Sequence, residues 1–232
     1  MNEVIDRLLP LERSLFFELN GSNSQFIDNV MWMLSGRLVW IPLFLVIIFL
    51  FFYKSNWKEG LLLTLFFILL FAACDQLASS FFKPLFERFR PTHHPDFKEF
   101  VDTVNGYRGG RYGFISSHAT NSFGLAVFLS LLFRYRWATI SMLFWALLNS
   151  YTRVYLGVHF ISDILAGMIA GAMLGYLFYE LYRITRLSLL HLPFPQNTPL
   201  YRRTHAKILS IFLPSYLLLL VIFSSFLATL PH

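Results

Sequence analysis

Apolar and polar residues occur in long blocks along this chain, and the apolar blocks are long enough to form membrane helices. Six of them approach or reach the ~20 residues that a helix needs to cross a bilayer, the shorter ones with the help of their flanks. We therefore predict an all-α, polytopic membrane helix bundle with six transmembrane helices. The blocks are residues 39–53, 61–82, 119–133, 137–151, 164–182 and 208–230.

The first 38 residues follow a different pattern, in which apolar residues such as Leu15 and Phe16 alternate with charged ones such as Arg13 and Glu18. This pattern favours an amphipathic segment that lies in the membrane interface on the outer face over a seventh span. We divide the chain accordingly into an interfacial segment, residues 1–38, and a transmembrane domain, residues 39–232. The N-terminus lacks the basic-then-apolar pattern of a signal peptide.

Composition agrees with a membrane protein. Of the 232 residues, 56% are hydrophobic, which exceeds the roughly 45–50% typical of soluble domains, and the mean hydropathy is +0.56. The formal charge of +6 could indicate nucleic acid, but the basic residues fall between apolar blocks, where they set topology and meet anionic lipid. We expect the bilayer, and no nucleic acid, as a partner.

The single cysteine, Cys74, excludes an internal disulfide and argues against a cysteine-based metal site.

Basic residues mark alternate connections between the apolar blocks, which predicts the orientation of the chain. The first, third and fifth connections are basic and poor in acids, so we place them in the cytoplasm. The second and fourth then face outward. The second nevertheless carries a cluster of cations mixed with acids, which topology does not explain. The cytoplasmic basic residues are Lys54, Lys58, Arg134, Arg136, Arg183, Arg186, Arg202, Arg203 and Lys207.

The outward connections hold residues suited to binding phosphate. Lys83, Arg90 and Arg153 supply three cations, and a guanidinium group matches the oxygens of phosphate by paired hydrogen bonds. Ser116 and Ser117, where the third block begins, add neutral donors together with the unpaired amides of a first helical turn. This combination predicts an anion site on the outer face.

Two histidines accompany these cations. His159 and Asp163 are four residues apart, so on a helix the carboxylate lies one turn from the ring and can hold its N–H. The pair is either a catalytic dyad or a helix cap. His118 is either a first-turn residue that donates to solvent or the second partner in catalysis, since cleavage of a phosphate ester needs a nucleophile and a proton donor.

The order and spacing of these residues define three motifs. They read K-x6-RP over residues 83–91, I-S-S-H over 115–118, and T-R-x5-H-x3-D over 152–163. Across roughly residues 60–180 the chain thereby resembles the type 2 phosphatidic acid phosphatase (PAP2) family, which shares its site plan with vanadium haloperoxidases. It departs from the usual family pattern at Ile115, in place of proline, at Ser117, in place of glycine, and at Thr152, in place of serine.

The resemblance implies a mechanism for the site. His159 would attack phosphorus to form a phosphohistidine, Asp163 would hold its far nitrogen, and His118 would protonate the departing lipid oxygen. No metal and no cofactor would take part. The residues that would bind the phosphoryl group are Lys83, Arg90, Ser116, Ser117 and Arg153.

We therefore predict an integral membrane lipid phosphatase on the outer, periplasmic face of a bacterial inner membrane. Its substrate would be a phosphomonoester or diphosphate of an anionic lipid: phosphatidic acid or phosphatidylglycerophosphate, undecaprenyl diphosphate, or a lipid A type molecule. One alternative is a vanadate-dependent haloperoxidase, and another is a non-catalytic lipid-binding or transport protein. The oligomeric state is left open.

Several other positions admit interpretations of their own. We interpret Arg88, which lies outside the motif, as a lipid-headgroup anchor. Asp75, inside the second block, is expected to face protein or water, either for a structural hydrogen bond or in support of the site. The three glycines of the fifth block allow close packing of helices. Residues 92–114 are the predicted selectivity loop, and residues 190–205 a cytoplasmic connector.

Two further motifs in the outward loop receive little weight. Gly109-Gly110 lacks the sequence context of a nucleotide-binding loop. The stretch from His93 to Asp96 could suggest a metal, but adjacent histidines project differently and no further ligand spacing supports one.

Overall fold

The structure is a computed structural model that describes residues 9–22, 24–191, 201 and 203–229. Regular structure in these ranges is helical, apart from one isolated β-bridge between Phe89 and Tyr112. A π-helical stretch, Leu77–Phe82, joins α4 to α5, and a 3-10 turn, Leu38–Trp40, precedes α3. The helices are α1 Leu9–Leu19, α2 Gln25–Ser35, α3 Ile41–Phe52, α4 Trp57–Gln76, α5 Lys83–Phe86, α6 Ser117–Phe133, α7 Arg136–Tyr155, α8 Ile161–Leu190, α9 Arg203–Ile222 and α10 Ser224–Leu227.

Each predicted apolar block is helical, from α3 to α9, although residue 230 of the last block lies outside the described part of the chain. Three helical stretches are long and apolar enough to cross a membrane, namely Trp57–Phe86, Ile161–Leu190 and Arg203–Ile222. A fourth span is present if α2 and the helical stretch Leu38–Phe52 count as one broken span. The two are bent by 72° relative to each other. The prediction of an all-α membrane helix bundle is confirmed, with three to four spans by these criteria.

A seam of small residues brings α6 and α8 together. A Cβ atom on Gly167 would lie 2.8 Å from the backbone oxygen of Ser116, and side chains at Gly171 and Gly175 would meet the backbone of α6 as well. The seam is a packing feature, as predicted, because only glycine permits this approach. It also sets the start of α6 beside the start of α8, and these two helix ends carry the motif residues.

The N-terminal helices pack against the bundle. Phe16 of α1 is fully buried and its ring lies 5.5 Å from that of Phe160, just before α8. The end of α2 is equally buried, with Leu34 and Ser35 each 1% exposed. The described part of residues 1–38 therefore belongs to the same packed body as the transmembrane domain. Its position in the membrane interface stays a prediction.

A buried ion pair closes the other end of the bundle. Glu59, in the first turn of α4, accepts a hydrogen bond of 2.6 Å from Nε of Arg186, near the end of α8. It also accepts one of 2.7 Å from the hydroxyl of Tyr182. All three side chains are buried. Because α8 rises ~1.5 Å per residue, this pair lies about 35 Å from the motif residues at the start of the helix.

Candidate active site

The three motifs meet at one end of the bundle around a cavity of about 400 Å³. Lys83 begins α5, Arg90 follows in the outward loop, His118 lies in the first turn of α6, Arg153 in the last turn of α7, and His159 just before α8. All five line this cavity. Residues that are up to 76 positions apart in the chain thus surround one space, and the catalytic and binding roles predicted for them become geometrically feasible.

His159 and Asp163 are in contact and buried. Nδ1 of His159 lies 3.3 Å from Oδ2 of Asp163, and the two residues are 1% and 0% exposed. The same carboxylate oxygen accepts a hydrogen bond of 3.0 Å from the backbone N–H of Phe160, at the start of α8. Asp163 therefore caps the helix and orients the ring at once, so the two readings of this pair are compatible. With Nδ1 donating to the carboxylate, Nε2 keeps its lone pair.

The electrostatic surroundings keep His159 neutral. Burial is the largest cause and holds its pKa well below the usual 6.5, and the nearby cations Arg90 and Arg153 act in the same direction. A positive charge on the ring would have to be buried beside other positive charges. At neutral pH the ring is therefore unprotonated, as the predicted role of nucleophile requires.

Arg88 holds the second oxygen of Asp163, and this overturns its interpretation as a lipid anchor. Its Nη1 donates to Oδ1 of Asp163 at 2.7 Å, its Nη2 donates to Glu12 at 2.5 Å, and the residue is only 2% exposed. Burial opposes the charged form of Arg88, but the two carboxylates outweigh burial and raise its pKa above the ordinary value. The lipid-anchor prediction was wrong because this guanidinium is buried inside the protein and pairs with two carboxylates.

Glu12 extends this arrangement to α1. Its carboxylate accepts hydrogen bonds of 2.8 Å from the backbone N–H and 2.9 Å from the hydroxyl of Ser162, in addition to the one from Arg88. A continuous set of contacts thus runs from Glu12 through Arg88 and Asp163 to His159. The sequence signal for it was one acidic residue on an otherwise apolar face of α1, which pattern reading alone did not connect to the site.

The cations of the cavity are held by neutral partners. Nε of Arg90 donates to the backbone oxygen of Tyr112 at 3.0 Å, while its buried Nη1 has no acceptor among the described residues. Arg153 donates to the hydroxyl of Tyr107 at 3.1 Å and to the hydroxyl of Ser35. Burial, and then Arg153, lower the pKa of Arg90 to about 10. In the described part of the chain no carboxylate forms an ion pair with Arg90 or Arg153, so the cavity has positive charge to offer an anion.

The two serines predicted to bind phosphate occupy different positions. Ser117 lines the cavity, where its hydroxyl accepts a hydrogen bond of 2.7 Å from the ammonium of Lys83. Ser116 is fully buried, its hydroxyl caps α6 by accepting from Ala119 at 3.4 Å, and its N–H donates to the backbone oxygen of Asp163 at 3.1 Å. The geometry favours Ser117 as a contact for substrate. Ser116 ties the start of α6 to α8, and its contact with phosphate stays a prediction.

His118 lines the same cavity from the first turn of α6. Its Nε2 lies 3.4 Å from the backbone oxygen of Ser35, at the end of α2. When Nε2 carries a proton, it donates a hydrogen bond to this carbonyl. The contact holds the ring beside the cavity. Ser35 therefore touches both His118 and Arg153, a role for the N-terminal segment that its sequence pattern did not indicate.

The predicted selectivity loop covers the dyad with backbone. A Cβ atom on Gly113 would lie 3.0 Å from Oδ2 of Asp163, and one on Gly109 would lie 2.7 Å from Nη1 of Arg90. Gly109 also has a φ of +66°, which favours glycine. Hydrogen bonds from Gly113 N to Arg88 O, 2.9 Å, and from Arg90 N to Arg111 O, 3.1 Å, fasten this stretch to the first motif.

His94, in the loop that we predict to face outward, makes local packing and hydrogen-bond contacts. The ring of His94 stacks on Phe97 at 4.1 Å between centroids, and its Nδ1 accepts from the backbone N–H of Asp96 at 3.3 Å. Within the described ranges no three His, Cys, Asp or Glu side chains lie together as a metal site would require. Asp75 lines the cavity, so it faces the site and not lipid.

Comparisons with known proteins agree with the three motifs. The PAP2 superfamily matches residues 61–186. The chain is 43% identical over 182 residues to a lipid A 4'-phosphatase of Porphyromonas gingivalis, covering 78% of this chain and 77% of that one. It is 41% identical over 177 residues to a lipid A 4'-phosphatase of Bacteroides thetaiotaomicron, covering 76% and 79%.

A solved structure shares the fold. The crystal structure of a transmembrane PAP2 type phosphatidylglycerolphosphate phosphatase from Bacillus subtilis aligns with a TM-score of 0.56 at 25% identity, over 76% of this chain and 86% of that one. The family match, residues 61–186, includes all three motifs. The chain therefore belongs to the PAP2 superfamily, as its motifs predicted, and it is a membrane phosphatase of that superfamily.

Proposed function

We propose that this protein removes a phosphate monoester from the sugar headgroup of a lipid A type molecule. The observation that supports it most directly is the cavity itself, in which His159 and His118 face cations that no described carboxylate neutralises. The two relatives that are more than 40% identical are named for phosphatase action on lipid A, which favours this substrate over the other anionic lipids.

In the first step Nε2 of His159 attacks phosphorus and forms a P–N bond while the P–O bond to the lipid alcohol breaks. The leaving oxygen takes a proton from His118. The Nδ1–H of His159 donates to Asp163, which offsets the positive charge that develops on the ring. Arg90, Arg153 and Lys83 stabilise the negative charge on the phosphoryl oxygens, an effect often worth about 3 kcal/mol per donor.

In the second step water cleaves the P–N bond. His118, now neutral, accepts a proton from the attacking water, and inorganic phosphate leaves with the bond electrons returned to His159. Both histidines therefore end the cycle in the protonation state in which they began it. Arg88, which is itself held by Glu12, pairs with Asp163 and fixes it in place, so the ring of His159 returns to the same orientation.

We place the site on the periplasmic face of a bacterial inner membrane, with six transmembrane helices and residues 1–38 in the interface. The alternation of basic connections supports this orientation. A cysteine placed at Pro95 in a Cys74→Ala background should react with a membrane-impermeant thiol reagent in intact spheroplasts, and one placed at Asn197 should not. Reversed labelling would move the site to the cytoplasmic face.

The function is tested with detergent-solubilised protein and lipid A bisphosphate. We expect release of phosphate, and mass spectrometry of the product locates the lost group. His159→Asn should lower turnover at least ~10³-fold, because it removes the nucleophile. His191→Asn makes the same chemical change at an exposed position at the far end of α8 and should leave turnover within twofold. Equal activity of wild type and His159→Asn would contradict the assignment.

A further inference from the structure

The cavity continues beyond the motif residues toward the middle of the bundle. On α7 the residues that line it are Arg153, Asn149 and Trp145, each four positions apart, so they stand one above another on one face of the helix. Successive members are about 6 Å apart along the helix axis. The deeper part of the cavity therefore begins one helical turn away from the phosphate site.

The other two walls repeat this order. From α6 the cavity is lined by His118, then Asn121, then Leu125, and α4 with the π-helical stretch contributes Lys83, then Ser79 and Asp75, then Phe71. Three levels result: cations and histidine, then amides and a carboxylate, then apolar side chains. We call the middle level, Asp75, Asn121 and Asn149, the polar tier.

The polar tier has unused hydrogen-bonding capacity. Asn149 is only 6% exposed, yet its Oδ1 has no hydrogen-bond partner among the described residues, and neither has Oδ1 of Asn121. Among the described residues, the carboxylate of Asp75 has a single contact, a long hydrogen bond of 3.5 Å from the hydroxyl of Ser79. A buried polar group without a partner costs about 1–3 kcal/mol. Two unpartnered amide oxygens beside this weakly bonded carboxylate, in one cavity, indicate a ligand that satisfies them.

The chemistry of the tier distinguishes its ligand from phosphate. Two neutral amides and a carboxylate offer mainly acceptors and no cation, and Asp75 would repel an anion. Hydroxyl and amide groups, which donate and accept, fit such a set. Below the tier, Phe44, Phe71 and Leu125 line the cavity and offer apolar contact, so the ligand carries its polar groups next to the phosphate and its apolar part further in.

We propose that the polar tier is a leaving-group subsite, which binds hydroxyl or amide groups on the alcohol that carries the phosphate. The subsite rests on the proposed function and deepens it, because it assigns recognition of the N-acyl sugar to particular residues, Asn149, Asn121 and Asp75. Esters of simple long-chain alcohols have no group at this level, so they leave Asn149 and Asn121 unpaired and bind less well. Sites of this kind reject an analogue that lacks the hydrogen-bonding group.

Inhibition separates the tier from the phosphate site. The assay follows hydrolysis of any lipid phosphate that the wild type turns over. One inhibitor is an N-acylglucosamine lipid without phosphate, which can occupy the tier, and the other is orthovanadate, which occupies the phosphate site. In Asn149→Leu and in Asn121→Leu we expect the inhibition constant of the sugar lipid to rise at least tenfold more than that of vanadate.

Ser130→Ala is the matched control, because its buried hydroxyl oxygen also lacks a partner among the described residues but lies outside the cavity lining. It should change neither inhibition constant by more than twofold. Parallel rises for both inhibitors in the asparagine variants would show a packing defect at the catalytic end and would overturn the subsite, as would a sugar lipid that does not inhibit the wild type. A wild type that hydrolyses no lipid phosphate would refute the proposed function itself.

Discussion

The two ends of α8 carry buried charge of different kinds. Near its end, Arg186 faces one carboxylate, Glu59, at 2.6 Å, and the pair also takes a hydrogen bond from Tyr182. At its beginning, Asp163 and Glu12 share Arg88, and further cations, among them Lys83, Arg90 and Arg153, line the cavity. Positive charge is balanced at one end and in excess at the other.

This difference separates structure from function. A balanced buried pair joins two helices and needs no ligand. An excess of buried positive charge is costly when it is left alone, and it is retained where an anion completes it. Arg88 belongs to the balanced part of the catalytic end, and Arg90 to the part in excess, although only one residue lies between them in the chain.

The largest difference between the two ends should appear when their arginines are neutralised. Arg88→Gln leaves Asp163 and Glu12 buried without a cation, so the dyad loses its orientation and turnover should fall at least ~100-fold. Arg186→Gln breaks a pair of similar burial, which typically costs about 3–5 kcal/mol, but turnover of the folded fraction should stay within about threefold. Turnover numbers normalised to monodisperse protein check both, and equal losses would show that the two pairs have the same role.

Turnover should depend on the shape of the cations that no described carboxylate neutralises, as well as on their charge. Arg153→Lys keeps the charge but cannot make the two-point contact of a guanidinium group. We expect turnover to fall about 10–100-fold and inhibition by orthovanadate, which mimics the five-coordinate transition state, to weaken in parallel. Arg183→Lys is the control at the far end, where Arg183 pairs with Glu180 on an exposed part of α8. Strong vanadate inhibition of Arg153→Lys would contradict the contact.

Glu12 tests how far the balanced part of the catalytic end extends. Glu12→Gln removes the charge of one of the two carboxylates beside Arg88, so Asp163 becomes the one charged partner that the described contacts give this guanidinium. We expect turnover to fall about 3–10-fold with little change in KM, since the change acts on orientation of the dyad and not on substrate contacts. A change confined to KM would instead assign Glu12 to substrate binding. Glu18→Gln, on the same helix, is the control.

A smaller effect concerns stability and pH. Because the pKa of His159 in the fold lies below its ordinary value of about 6.5, the unfolded chain takes up a proton below that pH and the folded chain does not. The contribution of His159 to wild-type stability should therefore fall as pH decreases below about 6.5, by at most ~1.4 kcal/mol per pH unit. His159→Asn lacks this loss, so its apparent melting temperature relative to wild type should rise between pH 7.5 and 5.5. A constant difference would contradict the neutral ring.

Chelation should have the smallest effect. Lys83, Arg90 and Arg153 meet the charge of the phosphoryl group that divalent ions meet in two-metal phosphatases. EDTA should therefore change turnover by less than twofold. Loss of activity with EDTA and its return with magnesium would refute the metal-independent mechanism.

Much of the fold followed from local pattern. Each apolar block of membrane length predicted a helix that the structure has, because a helix in lipid must satisfy its own backbone hydrogen bonds. The number of membrane spans was harder to predict from the sequence. The bend of 72° between α2 and Leu38–Phe52 depends on packing against neighbours that sequence pattern does not reveal.

The motif residues were likewise apparent from spacing, since Arg153, His159 and Asp163 lie within a few turns of one another and their chemistry is restricted by residue type. What the chain alone provided was therefore a prediction of which groups act on phosphate. Only the tertiary structure decided how they are supported: that Glu12 reaches Arg88 across 76 positions, that Ser117 and not Ser116 faces the cavity, and that amides line its middle level. The physical reason is that burial and pairing of a polar side chain depend on contacts distant in sequence, whereas helix formation and residue type are properties of the local chain.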